Sequence, residues 1–331
     1  MTVTDARIPA TIICVVYNAY ETVKLMLTSL QRCTPEPFEM LVADNGSTDG
    51  TLHLLRSTPW VKVFSLPERR RSIAAEALAE NVVWQRLNAK LSALAVSMPP
   101  RQRTAFDVLR RHIVKFRKSD VEGCNEHAEA LDWLVRRVST PFFITLDSDV
   151  EFLRRGWLTD ILSFMEREDL AAVGEFEPEV LSSRPRLAPY LLGLRTASFL
   201  AWKSSFRGSV RFARHDELVR WRNRNRMVCV DVQELAAFPT ATLYPVGAIL
   251  FESMQEHNAK WAETPKHLRS KYRHLGHMSW ANDENEVRGT TRMISHHKEM
   301  KRYVTRRLAD LAADSPATVM LSEKYCAKSS S

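Results

Sequence analysis

The sequence predicts an α/β fold built on a doubly wound, mostly parallel sheet. Three observations carry this. Short β-branched apolar runs alternate with amphipathic stretches over the first 66 residues. The runs are apolar without interruption, as in strands buried on both faces. Glycine is scarce, 10 residues in 331, where average usage of about 7% would give roughly 23. Few glycines suit long helices better than a many-turned β-sandwich.

The elements follow in order. Residues 11–17 (TIICVVY) form the first strand and residues 21–31 a short amphipathic helix. Residues 38–43 (FEMLVA) form the second strand, 44–51 (DNGSTDGT) a turn, and 52–56 the start of a helix. Residues 61–66 make the third strand, and the β-α-β-α-β order calls for right-handed crossovers. Residues 68–118 then read as two inserted Arg-rich helices, broken at Pro99-Pro100. A helix over 126–138 ends at Thr140-Pro141. A buried strand over 142–146 (FFITL) stops at Asp147-Ser148-Asp149, and a helix over 157–166 and a strand over 171–176 complete a Rossmann-like sheet. The expected organisation is a ligand-binding core over 1–176 with a helical insertion at 68–120, a second half over 177–325, and a disordered tail over 326–331.

Composition excludes several classes. Hydrophobic residues at 45% and charged residues at 26% describe an ordinary globular chain. Five scattered cysteines (Cys14, Cys33, Cys124, Cys229 and Cys326), with no C-x-x-C, argue against a disulfide framework or zinc ribbon and suit a reducing compartment. No run of 18 apolar residues predicts a transmembrane helix, and the N-terminus reads as a strand, not a signal peptide. A cytoplasmic location, or a peripheral one at a membrane, is expected. Lys and Arg total 47 against 39 Asp and Glu, for a net +8. Much of the excess sits in residues 200–226, where eight basic residues (Lys203, Arg207, Arg211, Arg214, Arg220, Arg222, Arg224, Arg226) face two acids, Asp216 and Glu217. That stretch is either a solvated face or a surface for an anionic partner.

Ligands of open α/β sheets bind beyond the carboxyl ends of the strands. Tyr17-Asn18, Asp44 and Asp147-Ser148-Asp149 all fall there. Asp49 and Ser47 suit caps and turns. Asp147 and Asp149 do not, because two carboxylates so close at a buried strand end repel unless a cation joins them. Hard carboxylates with open positions suit Mg2+ or Mn2+ bridging to a diphosphate. Sequence patterns for an EF-hand, a G-x-G-x-x-G dinucleotide site, a P-loop and a serine hydrolase elbow are all absent.

VVYN (15–18), DNGSTDGT (44–51) and FFITLDSDVEF (142–152) resemble the signature segments of family 2 glycosyltransferases of the GT-A fold. The spacing Gly123-x-x-x-His127-x-x-x-Leu131 and the segment GWLTDIL are similar too. The likeness covers roughly residues 8–66 and 121–176, and more loosely 239–280. It implies a GT-A sheet, a nucleoside diphosphate sugar donor, a divalent metal (Mn2+ or Mg2+) on the D-x-D, and inverting transfer to an acceptor hydroxyl.

By the same resemblance, Val16, Tyr17, Asn18, Asp44, Asn45, Asp147 and Ser148 line the nucleotide. Asp44 contacts the base and Tyr17 stacks near it. Asp147 and Asp149 bind metal, with His277 completing the shell in RHLGHMSW (273–280), a segment that also holds His274; His296-His297 is a second candidate pair. Val16 stands where the family often has a hydroxyl residue, which removes one base contact. A carboxylate at Asp44 accepts equally well from uracil, thymine or guanine N–H groups, so the donor base stays open. Metal charge on the leaving diphosphate removes the need for a general acid there.

An inverting transfer needs one base within about 2.6–3.2 Å of the acceptor hydroxyl. Asp231, Glu234, Glu252, Glu256, Asp283 and Glu284 are the acids available in the second half, and Glu252 and Glu256 are preferred because they follow an acceptor-like segment (238–251). Tyr244 and Trp280 are expected on the acceptor side; Trp202, Trp221 and Trp261 are sugar platforms or core. The acceptor is a saccharide, a lipid-linked glycan at an acidic membrane surface, or a nucleic acid held by the basic stretch. Two other classes compete. LDSDVEF resembles the nucleophile motif of haloacid-dehalogenase-type phosphatases, with Asp147 phosphorylated but Glu151 where Thr or Val is expected. A non-catalytic binding module on a transferase fold is the other.

Overall fold

A computed structural model describes residues 9–66, 93, 99, 118–178, 184–212, 241–276 and 291–313, and every statement below concerns these residues. Side chains are described for all of them except 118–125, 209–212, 241–244 and 291–295. Apart from residues 93 and 99, the Arg-rich stretch 68–117 lies outside the described residues, as do the basic stretch beyond 212, His277 and Trp280.

β1 (Ala10–Val16) runs at the middle of the main sheet, parallel to β2 (Glu39–Asp44) on one side and β4 (Phe142–Asp147) on the other. β3 (Val61–Ser65) pairs parallel with β2 at one edge. The full order is β12 (Trp261–Glu263), β6 (Ala172–Gly174), β9 (Leu191–Arg195), β4, β1, β2, β3. β1 is apolar throughout because both its faces are buried. Ile12, Cys14 and Val16 enter one core cluster, and Ile13 and Val15 the other. The first core receives α1 (Tyr20–Cys33) through Val23, Met26 and Leu30, and α4 (Trp157–Arg167) through Trp157, Ile161 and Met165. The second receives α3 (Lys118–Val135) through Leu131 and Leu134, and α6 (Ala248–Glu256) through Phe251 and Met254. Helices thus cover both faces, the doubly wound α/β class the sequence predicts. α2 (Thr51–Arg56) follows the DNGSTDGT turn.

One strand departs from the expected rhythm. β9 (Leu191–Arg195) lies antiparallel between β4 and β6 (Ala172–Gly174). Gly193 at its centre admits the approach of α4: a Cβ there meets Ile161 Cγ2, Met165 Sδ and Val173 Cγ1 at 3.1 Å each. The expected strand over 171–176 is split. β6 ends at Gly174, and β7 (Phe176–Glu177) turns away to pair with β8 (Arg186–Leu187).

The second half of the chain feeds back into the sheet. After β9 come α5 (Thr196–Ala201), then β10 (Ser209–Phe212) paired with β11 (Ala241–Tyr244). β12 (Trp261–Glu263) adds to β6 in parallel. α7 (Lys266–Arg269) leads to β13 (Tyr272–His274), which pairs antiparallel with β5 (Val150–Phe152) just after the Asp147–Asp149 turn. The last helix, α8 (Thr291–Ala313), packs on α1, where Leu25, Leu275, Val304 and Leu311 form a satellite core. No described helix is long and apolar enough to cross a membrane.

Candidate active site

The parallel strands β1, β2, β4 and β6 all end at one edge of the sheet, and the polar clusters meet there. The turns after β1 and β2 are stitched to each other. Asn18, at φ 44°, accepts through Oδ1 from the Thr48 N–H at 2.8 Å, and its own N–H donates to Ser47 Oγ at 2.9 Å. Asp49 accepts from the Tyr20 N–H at 3.0 Å at the start of α1 and from the Thr51 hydroxyl at 2.5 Å. Asn45 donates its N–H to the Val16 carbonyl at 2.9 Å. DNGSTDGT is therefore a rigid shelf built against VVYN.

Asp44 is fully buried at the root of this shelf. Its carboxylate accepts from the Gly46 N–H at 3.1 Å and from the Ser47 N–H at 3.1 and 3.3 Å. The residue expected at the base is also a turn former, as Asp and Asn often are. Val16 is buried in the core, Tyr17 is half-buried, and Asn45 and Ser148 are buried.

The second feature is a cluster of metal-ligand type. One atom each from Asp147, Asp149 and His274 lies within 4.8 Å of the others. His274 Nε2 is 3.3 Å from Asp149 Oδ1 and 3.9 Å from Asp147 Oδ2. His127, on α3, reaches Asp147 Oδ1 at 3.6 Å from the other side. Backbone pairing fixes the set: Leu275 N–H donates to the Asp149 carbonyl at 2.9 Å, and Asp147 N–H to the Tyr190 carbonyl at 3.0 Å. The Tyr190 ring stacks on His274 at 4.1 Å between centroids and 18° between planes.

The electrostatics suit a cation. Burial raises the Asp147 carboxyl above its ordinary range and Asp149 pushes the same way, while His127, His274 and Arg186 pull it down. Burial disfavours the His274 cation, but the hydrogen bond to Asp149 and the charges of Asp149, Asp147 and Glu175 outweigh it and raise its pKa. Two carboxylates and an imidazole with open positions fit a borderline-hard divalent ion.

Sequence reasoning names His277 for the metal shell; it lies outside the described residues, and the histidine that groups with both carboxylates among the described residues is His274, three positions earlier in the same segment. No spacing rule picks one from the other. His274 is brought there by β13, whose register sets it opposite Val150. Glu175 was also missed. It occupies the break between β6 and β7, where the Tyr272 hydroxyl donates to it at 3.3 Å. It also bonds the Tyr190 hydroxyl, and burial with that bond raises the Tyr190 pKa.

Of the acceptor-side candidates, Glu252 is half-buried on α6 and ion-paired to Arg184 at 3.1 Å. Glu256 is exposed in the last turn of that helix. Tyr244 ends β11, and Trp280 lies outside the described residues. Trp202 and Trp261 pack against the second core; Trp221 lies outside the described residues. His296 bonds the Leu275 carbonyl at 2.9 Å, while both ring nitrogens of His297 are buried without a hydrogen-bond partner; neither histidine belongs to the ligand cluster.

Residues 11–79 match the family model for glycosyl transferase family 2. No curated protein matches the chain. Among solved structures it is similar to the mannosyltransferase PcManGT from Pyrobaculum calidifontis in complex with GDP-Man and Mn2+, at 14% identity and TM-score 0.36, over 60% of this chain and 47% of that one. It is also similar to S. aureus TarS 1–349 in complex with UDP-GlcNAc, at 14% identity and TM-score 0.36, over 80% of this chain and 61% of that one. A third is the mannosyltransferase Ktr4p from S. cerevisiae, at 10% identity and TM-score 0.35, over 59% of this chain and 58% of that one. The chain thus spans about half to three fifths of the length of these structures. The match over residues 11–79 takes in β1, β2, β3 and the Asn18–Asp44 shelf, and it is a likeness to glycosyl transferase family 2 over that part of the chain.

Proposed function

We propose that the protein is a metal-dependent inverting glycosyltransferase that moves a sugar from a nucleoside diphosphate donor to an acceptor hydroxyl. The carrying observation is the convergence of Asp147, Asp149 and His274 at the strand edge that also holds the Asn18–Asp44 shelf. In this reading Tyr17, Asn18, Asp44 and Asn45 take the nucleoside, and Asp147 and Ser148 face the ribose and diphosphate. Asp147, Asp149 and His274 hold the ion, and the imidazole favours Mn2+ over Mg2+. A bound ion offsets the charge that develops on the departing diphosphate, so no protein acid is needed there. Arg186 adds positive charge near Asp147 from the β7–β8 hairpin.

The base is proposed to be Glu252 in preference to Glu256: it is half-buried and held by Arg184, whereas Glu256 points into solvent. It would take the acceptor proton as the hydroxyl oxygen attacks the anomeric carbon from the face opposite the diphosphate. Apart from Arg186 and His274, which serve the metal side, the second half of the chain, 177–325, is assigned to the acceptor, whether saccharide, lipid-linked glycan or nucleic acid.

Thermal unfolding with UDP, GDP or dTDP, each with Mn2+ or EDTA, tests the reading. A ligand that binds the native state raises its apparent stability, by about 2.7 kcal/mol at a hundred times its Kd. One nucleotide should stabilise the wild type only with Mn2+, and Asp149→Ala should lose the shift. No shift from any nucleotide removes the transferase reading.

A further inference from the structure

We infer that the last helix, α8, is a positioning element for the metal ligands. It would act through the buried Glu151 and its two half-buried partners, Tyr303 and Arg307, so that Tyr303 and Arg307 set metal affinity without touching the metal. The inference rests on the metal-site reading above.

Glu151 lies two residues beyond Asp149 and is wholly buried, at 0% exposure. Its strand neighbours Val150 and Phe152 enter the first core, so the intervening side chain points the other way, toward α8. A carboxylate out of water is costly unless it is paired and hydrogen-bonded. The side-chain hydrogen bonds described for Glu151 both come from α8: Arg307 Nε donates to Oε1 at 2.7 Å and the Tyr303 hydroxyl to Oε2 at 2.5 Å.

The same helix grips the partner strand. His296 Nε2 donates to the Leu275 carbonyl at 2.9 Å, next to His274. The Arg273 guanidinium lies 5.0 Å from the centre of the Tyr303 ring. Leu275 belongs to the satellite core with Leu25 and Val304, while its N–H closes on the Asp149 carbonyl at 2.9 Å. α8 thus holds β5 just after Asp149 and β13 just after His274, yet contributes no group to the ligand cluster.

Metal ligands tolerate little displacement, and losing a group that orients them typically costs 10–100-fold in affinity. If α8 only adds stability, any change that loosens it equally should weaken metal equally. Leu311 separates the two cases. It packs at the far end of the satellite core, 15 residues along α8 from His296, roughly 22 Å at 1.5 Å per residue and so remote from the Leu275 contact.

The experiment titrates the full chain with Mn2+ alone, followed by the paramagnetic resonance of the free ion, and measures stability in urea in parallel. Tyr303→Phe and Arg307→Met should weaken Mn2+ binding roughly tenfold or more. Leu311→Ala should lower stability and leave Mn2+ affinity unchanged. Mn2+ binding at wild-type strength in both Tyr303→Phe and Arg307→Met overturns the inference. So does Mn2+ affinity that falls with stability alike in all three variants. Should Arg307→Met fail to fold, Tyr303→Phe, which removes one hydroxyl, decides alone. Failure of the underlying site looks different: wild type and Asp149→Ala would then bind Mn2+ equally, and the inference would fall with it.

Discussion

His274 carries opposing instructions from its surroundings. Burial disfavours its charged form, and Asp149, Asp147 and Glu175 favour it more strongly, so its pKa stands above the ordinary 6.5. A metal takes only the neutral imidazole. Mn2+ affinity should therefore weaken about tenfold per pH unit as pH falls below the His274 pKa, and level off above it. For the metal-free protein the sign is reversed. A raised histidine pKa contributes stability that is present below 6.5 and lost as pH rises through the folded value. Isothermal titration with Mn2+ and urea unfolding without metal, each across pH 5.5 to 8.5 as a chosen range, should show these opposite trends. Both should flatten in His274→Ala. A pH-independent Mn2+ affinity in the wild type would remove His274 from the shell. Asp44 shows the limit of reading one residue: its carboxylate bonds inside its own turn, and with four acceptor sites it keeps capacity for the proposed base contact.

At the scale of elements, Gly193 is the most exposed to test. A methyl group there meets three side-chain atoms of α4 and β6 at 3.1 Å. Gly193→Ala should cost about 1–3 kcal/mol by overpacking, read as a lower urea midpoint with the slope unchanged. A neutral outcome would mean that α4 shifts freely. The strands buried on both faces were the most legible. The apolar runs over 11–17, 38–43 and 142–146 predict strands, and the structure has Ala10–Val16, Glu39–Asp44 and Phe142–Asp147. Their signal is local, because burial on both sides demands an unbroken apolar run. β9 was not legible. Its Gly193 weakens any strand pattern, and its pairing joins residues 142–146 to 191–195, which only the folded sheet brings together.

At the scale of the whole molecule, charge and topology act together. The basic stretch 200–226 was read as a solvated face or an anionic surface. Among its described members, Arg207 is spent on Glu129 at 2.9 Å. If the remaining cations form a polyanion surface, duplex DNA or acidic vesicles should bind, and affinity should drop steeply between low and physiological salt. Salt-independent binding, or none, would leave the stretch as a solvated face. The strands β1, β2, β3 and β4 and the loops at their carboxyl edge are legible in the sequence, because each is written in a continuous local pattern of burial or turn chemistry. Tertiary structure alone decided that His274 joins Asp147 and Asp149, that Glu175 sits beside them, and that α8 grips the strands carrying the ligands. Those residues lie about a hundred or more positions apart or carry no pattern of their own. Their meeting depends on strand register and helix packing, which no local run of residues encodes.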